Sequence, residues 1–317
     1  MTRASHLFVA SSLLAVIPTA ALAEVLTFSG AGDSAAIAPA LADFRAALGQ
    51  LNANNPVCFG SGRREINWDA VPDTLSSPNE FPGDFFNFTT PGRARGAAFS
   101  TDARAHFQTS AKEVSPDGAL VEFGNVDPNY VEQFSAFTPQ RLFAPIGSTT
   151  TIGDFFVAGT VTLTAGITGF GAVFTDVDVE GSTTITALAA DGTVLGTVAA
   201  PATTGDGQFS FASIAVQGLP RIAKIHIISG NLPLAPGNID DAANGDDTVA
   251  MDDFIYGEPV NLECESDLNG DGQVGAADLA ILLGAWGPVG ASPSDFNGDG
   301  EVAAWDLAWL LGKWGPC

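Results

Sequence analysis

Two stretches near the end of the chain combine residue types and spacing in a way that could hold a metal. Residues 267–288 read DLNGDGQVGAADLAILLGAWGP and residues 295–316 read DFNGDGEVAAWDLAWLLGKWGP. They align at an offset of 28 and agree at 16 of 22 positions. A gap-free repeat this close is one supersecondary unit used twice. In the first copy Asp267, Asn269 and Asp271 occupy positions 1, 3 and 5 of a 12-residue loop. Gly272 follows where the chain must turn sharply, Gln273 offers its backbone carbonyl at position 7, and Asp278 closes the loop at position 12. In the second copy the same roles fall to Asp295, Asn297, Asp299, Gly300, Glu301 (through its carbonyl) and Asp306. This alternation turns the odd-numbered side chains inward, towards the oxygen-only coordination that Ca²⁺ requires. Gly275 and Ala303, at position 9, have no ligating side chain, so a water is expected there. One calcium ion per loop is the expectation.

A helix must follow each loop to fix it. Leu279, Leu282, Leu283 and Trp286 fall at i, i+3, i+4 and i+7, and Leu307, Leu310, Leu311 and Trp314 repeat the pattern. These are single apolar stripes, expected to pack on each other. Gly287 and Gly315 stop the helices, with Pro288 and Pro316 just beyond. Residues 257–266 offer no helix before the first loop, and position 12 is Asp where a full EF-hand has Glu.

Loop-then-helix, doubled, with Asp at position 12, resembles the dockerin type I domain over residues 264–317. The resemblance implies a small α-helical calcium module that plugs exported proteins into cohesin domains on scaffolds or cell surfaces. In that family positions 10 and 11 of each loop, often Ser-Thr, help choose the cohesin. Here they are Ala276-Ala277 and Ala304-Trp305, a departure that bears on which partner is met. Trp305 and Trp309 lie off the apolar stripe, either as hot spots for a partner or packed back on the sandwich.

The remainder of the chain declares an architecture and little chemistry. It has 317 residues, 36 acidic and 12 basic, for a net charge of −24, which argues against a nucleic-acid partner. Charged residues are only 15% and hydrophobic ones 46%, so a packed core is expected and disorder is not. Residues 1–23 read as a secretory signal: Arg3, an apolar run over 7–17, and Ala21-Leu22-Ala23 before Glu24. The run is too short to span a bilayer and ends at Pro18, so export without a membrane span is expected, to the medium, the cell surface or the periplasm. Export permits disulfides. Cys264 and Cys317 bracket the tail and are the expected pair, a clasp worth roughly 3–4 kcal/mol. Cys58, between Val57 and Phe59, is then the odd one, a buried thiol or an intermolecular partner.

Residues 24–258 read as an antiparallel, jelly-roll-like β-sandwich with a short N-terminal helix, and 259–263 as a linker. Ile37, Leu41, Phe44 and Leu48 define one face of that helix, capped by Asp33 or Ser34 and stopped by Gly49. Strands are expected over 131–137, 169–177, 183–190, 193–199, 222–228 and 249–256. Asp191-Gly192 is expected to make a type I′ hairpin turn. Residues 52–95 read as long loops over the body. The sequences FRAALG at 44–49, SGRREINWD at 61–69 and DDFIYG at 252–257 resemble exported bacterial domains of unknown function, which implies a sandwich and no known activity.

No catalytic motif stands out in the body. Glu65, Asp69 and Glu122 are the candidates for a glycoside-hydrolysing carboxylate pair. Six carboxylates between Asp240 and Asp253 (with Asp241, Asp246, Asp247 and Asp252) form either a solvated acidic loop or a further structural calcium site near Asp246 and Asp253. Arg63, Arg64, Arg93, Arg95 and Arg104 either pair with nearby acids or form an anion or acidic-glycan site. Trp68, Tyr130 and Tyr256 are the aromatic residues that could floor a sugar site. The sequence thus points to an exported, calcium-binding, non-catalytic assembly protein docked through its tail. The alternative is a carbohydrate-active enzyme or carbohydrate-binding accessory module on the same tail.

Overall fold

The computed structural model describes residues 24–111, 122–219, 221–269, 273–290 and 292–316. The expected signal at 1–23 lies outside the described residues, as do Asp271, Gly272 and Cys317.

In chain order the body contains β1 (Glu24–Gly32), α1 (Ser34–Leu48), β2 (Arg63–Ile66), β3 (Ala97–Ser100), β4 (His106–Thr109), α2 (Tyr130–Gln133), β5 (Phe143–Ile146), β6 (Thr150–Phe155) and β7 (Ala165–Gly166). It continues with β8 (Gly169–Thr175), β9 (Thr184–Leu188), β10 (Val194–Ala199), β11 (Phe209–Gln217), β12 (Lys224–Ile228), β13 (Ala250–Gly257) and β14 (Val260–Asn261). One sheet runs β1-β11-β8-β13-β5-β4 with β2 added on β13, and the other runs β10-β9-β12-β6-β3. The described pairings within both sheets are antiparallel. The protein is therefore mainly β, a sandwich with a small helical region at its C-terminal end.

The core between the sheets is rich in Phe, as the composition implies. Trp68 lies at its centre, stacked on Phe143 with ring centroids 4.0 Å apart and edge-on to Phe254 at 5.1 Å. Its indole N–H donates to the Asp252 carbonyl at 2.8 Å, which satisfies the one polar atom the ring brings inside. Helix α1 covers the outer face of the larger sheet. Ile37, Leu41, Phe44 and Leu48 are all buried there, against Val173, Phe211 and Ile255. Asp33 is the cap, accepting from the Ala36 N–H at 2.9 Å, and Gly49 ends the helix at φ +89°.

Two local expectations are corrected. Residues 130–133 form the single helical turn α2 where a strand was expected over 131–137. Asn129 and Asp127 build that turn, since the Asp127 carboxylate accepts from the Asn129 N–H at 3.0 Å. The β9–β10 hairpin forms, but its turn is not type I′. Only Gly192 takes a positive φ, +86°, and its N–H donates to the Ala189 carbonyl. The Asp191 carboxylate accepts from the Thr193 N–H at 2.9 Å and stays in the ordinary region.

Candidate functional site

The tail adds β15 (Gln273–Val274), α3 (Ala276–Gly284), β16 (Gly287–Pro288), β17 (Glu301–Val302), α4 (Ala304–Gly312) and β18 (Gly315–Pro316). β15 pairs with β18 and β16 pairs with β17, so each loop is bridged to the exit of the other repeat's helix. That exchange gives the module an approximate twofold symmetry, and it returns Pro316 to Gln273 beside the first loop. Val274, Leu282, Phe296, Val302 and Leu310 form its small core.

The closing aspartates do two jobs. Asp278 is fully buried; one carboxylate oxygen accepts from Leu268 and Asn269 N–H at 2.8 and 3.1 Å, and the other accepts from Gly275 N–H at 2.7 Å. Asp306 repeats this with Phe296 and Ala303, both at 2.8 Å. Each therefore caps its own helix and ties the loop's entrance to its exit. Within the second loop Asp295 accepts from Gly298 and Gly300 N–H, both at 2.9 Å. Asn297 and Asp299 are bonded to each other at 2.8 Å, and Asp299 accepts from Glu301 N–H at 2.9 Å. Of the first loop Asp267, Asn269, Gln273 and Asp278 are described, and Asp271 is not.

These donors suit a hard cation. They are carboxylate, amide and carbonyl oxygens, and carboxylate oxygens that accept one N–H keep further lone pairs. Among the described residues no ion pair reaches Asp278, Asp295, Asp299 or Asp306. The tail's one basic side chain, Lys313, lies over the Trp309 ring instead, 5.4 Å from its centroid.

Residues 265–312 match the family model of the dockerin type I domain. No curated protein sequence matches the chain. Among solved structures, the CBM22-1 xylan-binding domain of Paenibacillus barcinonensis Xyn10C is similar over 56% of this chain and 92% of its own, at 8% identity and a TM-score of 0.24.

The dockerin-like helices do not bury their whole stripes. Leu282 and Leu310 are buried and Leu279 and Leu307 partly so, but the second half of each stripe faces solvent. Leu283 and Leu311 are 50% and 49% exposed, and Trp286 and Trp314 are 49% and 50% exposed. Two nine-residue helices can cover each other along only one narrow line, so the wider part of the stripe stays open. Trp305 and Trp309 stack on one another at 5.4 Å and 11°, with Trp309 packed on the tail's own core.

The tail meets the sandwich through its second loop. Leu219 reaches from the end of β11 into the tail core, and its N–H donates to the Phe296 carbonyl at 2.9 Å. The approach depends on two glycines at positive φ. A Cβ on Gly218 would lie 2.7 Å from the Asn297 backbone, and one on Gly298 would lie 2.6 Å from the Gln217 carbonyl.

The body's candidates are dispersed. Glu65 pairs with Arg45 at 2.9 Å and Arg63 at 2.7 Å. Burial pushes its carboxyl up, but those two guanidiniums outweigh it and hold Glu65 below the usual range. Asp69 accepts from the Gln140 and Arg141 N–H groups. Burial alone raises Glu122 to about 7. The five arginines do not converge on an anion. Arg64 is internal and paired with Glu258, Arg93 stacks on Phe85 and Phe88, and Arg95 stacks on Phe86. Trp68, Tyr130 and Tyr256 are fully buried and floor no surface. Cys58 is a free, half-buried thiol, its pKa pushed up by burial, with Sγ 3.6 Å from the Pro259 carbonyl.

The acidic run splits in two. Asp252 and Asp253 occupy a bulge in β13. Asp252 accepts from Phe137 and Thr138 N–H at 2.6 and 3.1 Å, and Asp253 from the Thr138 hydroxyl at 2.8 Å with Arg45 at 3.6 Å. These bonds turn Asp252 and Asp253 towards Thr138, and Asp246 bridges backbone to Asp241, so the acidic run is not one cluster. Burial, reinforced by Glu65 and Asp69 against the pull of Thr138 and Arg45, raises Asp253 to about 6. An acid with a raised folded-state pKa is best tolerated when protonated. Its penalty is absent near pH 4, grows as pH rises through about 6, and is constant above. Asp253→Asn is therefore expected to stabilise the protein on the order of 2 kcal/mol at pH 7 and by nothing measurable at pH 4. Urea unfolding of both proteins at the two pH values checks this; equal gains at both would exclude titration as the cause.

Proposed function

We propose that this protein is an exported, calcium-binding assembly protein whose dockerin-like tail docks it to a cohesin-like or cell-surface partner. One ion in each loop would be held by Asp267, Asn269, Asp271, Gln273 and Asp278, and by Asp295, Asn297, Asp299, Glu301 and Asp306. The ion supplies the countercharge that lets the two loops close, and the chain's own part is to aim the helices. The observation that carries the reading is the pair of equivalent open patches, Leu283 with Trp286 and Leu311 with Trp314, presented by two repeats of a dockerin-like module. Half-exposed Leu and Trp at twofold-related positions are the anchors a partner would cover. The full chain, incubated with an immobilised type I cohesin, should be retained in CaCl₂ and released by EGTA. Retention unaffected by EGTA, or no retention of a calcium-loaded chain by cohesins or by the cell envelope of the source, would sink the reading.

A clasp between Cys264 and Cys317 belongs to the same proposal. Cys58 being free supports it, as does the pairing of Pro316 with β15. Non-reducing peptide mapping should recover a Cys264–Cys317 peptide; free thiol at Cys264 would overturn it. The carbohydrate-active alternative draws no support from the body's dispersed acids and buried aromatic rings.

A further inference from the structure

One end of the sandwich holds a buried carboxylate that no donor meets in good hydrogen-bond geometry. Asp176 follows β8 directly, is fully buried, and neither of its carboxylate oxygens has a hydrogen-bond partner. Its backbone is fixed in the left-handed region at φ +68°, with its N–H donating to the Gln208 carbonyl at 2.9 Å. The Gln133 amide, which pulls the Asp176 carboxyl down, has its ordinary hydrogen bonds to Thr248, at 2.6 Å to the hydroxyl and 3.2 Å to the carbonyl. The other groups around Asp176 are acids. Asp178 has one buried oxygen without a partner, and its N–H donates to Asp247 at 3.1 Å. Asp247 is fully buried and also accepts from the Ser182 hydroxyl. Asp240 accepts from Thr248 N–H at 2.9 Å, and Asp206 stands exposed at the rim. Among the described residues no Lys, Arg or His pairs with any of them.

An unpaired carboxylate inside a protein is strongly disfavoured unless it is neutralised. Burial first, against the pull of the Gln133 amide and reinforced by Asp178, Asp240 and Asp206, raises Asp176 to about 8; burial, against the Thr248 N–H and reinforced by Asp247, Asp178 and Asp206, raises Asp240 to about 6. Protonation of Asp176 would relieve one group and leave the others facing each other. A cation bound by several of them relieves all at once. The donors are oxygens only, from segments far apart in sequence, a set that fits Ca²⁺ and none of the thiolate- or imidazole-seeking metals.

We propose that Asp176, Asp178, Asp240 and Asp247 form a calcium site of the body that staples the exit of β8 to the loop leading into β13. As placed the acids stand apart, since among the described residues no three Asp, Glu, His or Cys side chains are close enough to enclose an ion. The same holds for the tail loops. Binding must therefore draw the 239–248 loop inward, and the ion would hold that loop against the sheet. Reading the sequence alone misses Asp176 and Asp178, because they continue an apolar strand with no metal-loop spacing. The site does not depend on the reading of the tail.

Calcium titration of the full chain separates the two. A variant with both tail loops disabled (Asp267→Ala, Asp271→Ala, Asp295→Ala, Asp299→Ala) should keep one site by calorimetry, and its sandwich should melt higher in CaCl₂ than in EGTA. Adding Asp176→Asn, which tolerates the left-handed backbone, should weaken that site at least tenfold and abolish the difference in melting. In the otherwise unaltered chain the same change should lower the stoichiometry from three ions to two. Half-buried Asp240→Asn gives a second test should the first variant misfold. A tail-disabled chain with no site and identical melting in CaCl₂ and EGTA overturns the proposal, as does full affinity in both asparagine variants.

Discussion

Stripping calcium from the full chain at neutral pH is expected to unfold the tail and leave the sandwich standing. The tail is too small to fold on burial alone. Its core is five side chains, and eight acids share it with a single lysine. Asp278 and Asp306 are fully buried and Asp295 is 8% exposed, so the repulsion acts where water screens it least. Metal binding then becomes folding free energy. Helices α3 and α4 hold about half of the described helical residues, the rest lying in α1 and α2. EGTA should therefore remove about half of the helical circular dichroism, and readdition of CaCl₂ should restore it. Asp271→Ala and Asp299→Ala should each cost one tail ion. The measurement belongs on the full chain, because Leu219 of the body completes the tail core and an isolated tail would lack it. A helical signal indifferent to EGTA would show that the loops fold without metal.

What could be read from sequence and what could not divides by range. Helix α1 was legible because Ile37, Leu41, Phe44 and Leu48 carry a local period, and so were the tail loops, whose ligands fall within twelve residues. Helical period also located the Leu283 and Leu311 stripes, but period reports apolarity and not coverage. Which half of a stripe is covered depends on how closely two short helices approach, and half stayed open. Strand 131–137 was misread because its apolar spacing fits both a strand and the helical turn that Asp127 initiates. The acidic run 240–253 looked like one cluster. A β-bulge sends Asp252 and Asp253 towards Thr138, while Asp247 turns to Asp178 in a strand exit 69 residues earlier in the chain. The arginines show the same limit, since Arg63 and Arg64 are adjacent yet have unrelated roles.

Glu258→Gln, and equally Arg64→Met, should destabilise the sandwich by about 3–5 kcal/mol. Both side chains are fully buried, and they meet in a bidentate pair with two 2.8 Å bonds. The remaining guanidinium N–H groups donate to the carbonyls of Ala94 at 2.6 Å, Val57 at 2.7 Å and Asn55 at 3.4 Å. All five donors are thus used, the most an arginine can offer. Glu258 in turn accepts from the Asn52 amide at 2.9 Å and the Phe59 N–H at 3.3 Å. The pair therefore pins the irregular 52–59 segment and Ala94 to β2 and to the chain just beyond β13, work that no regular ladder does there. Losing either partner leaves the other as a buried group with nothing to neutralise it, and that penalty sets the size of the effect. In a domain of this length the loss corresponds to a fall in melting temperature of roughly 6–20 °C by calorimetry. The double variant Arg64→Met/Glu258→Met should lose much less than the two single losses combined, since no charge is stranded. Arg63→Met sets the contrast: its bond to Glu65 is partly exposed and Arg45 still holds that carboxylate, so about 1 kcal/mol or less is expected. Single changes at Arg64 and Glu258 that cost no more than Arg63→Met would mean that water reaches the pair and that the loops are held by something else.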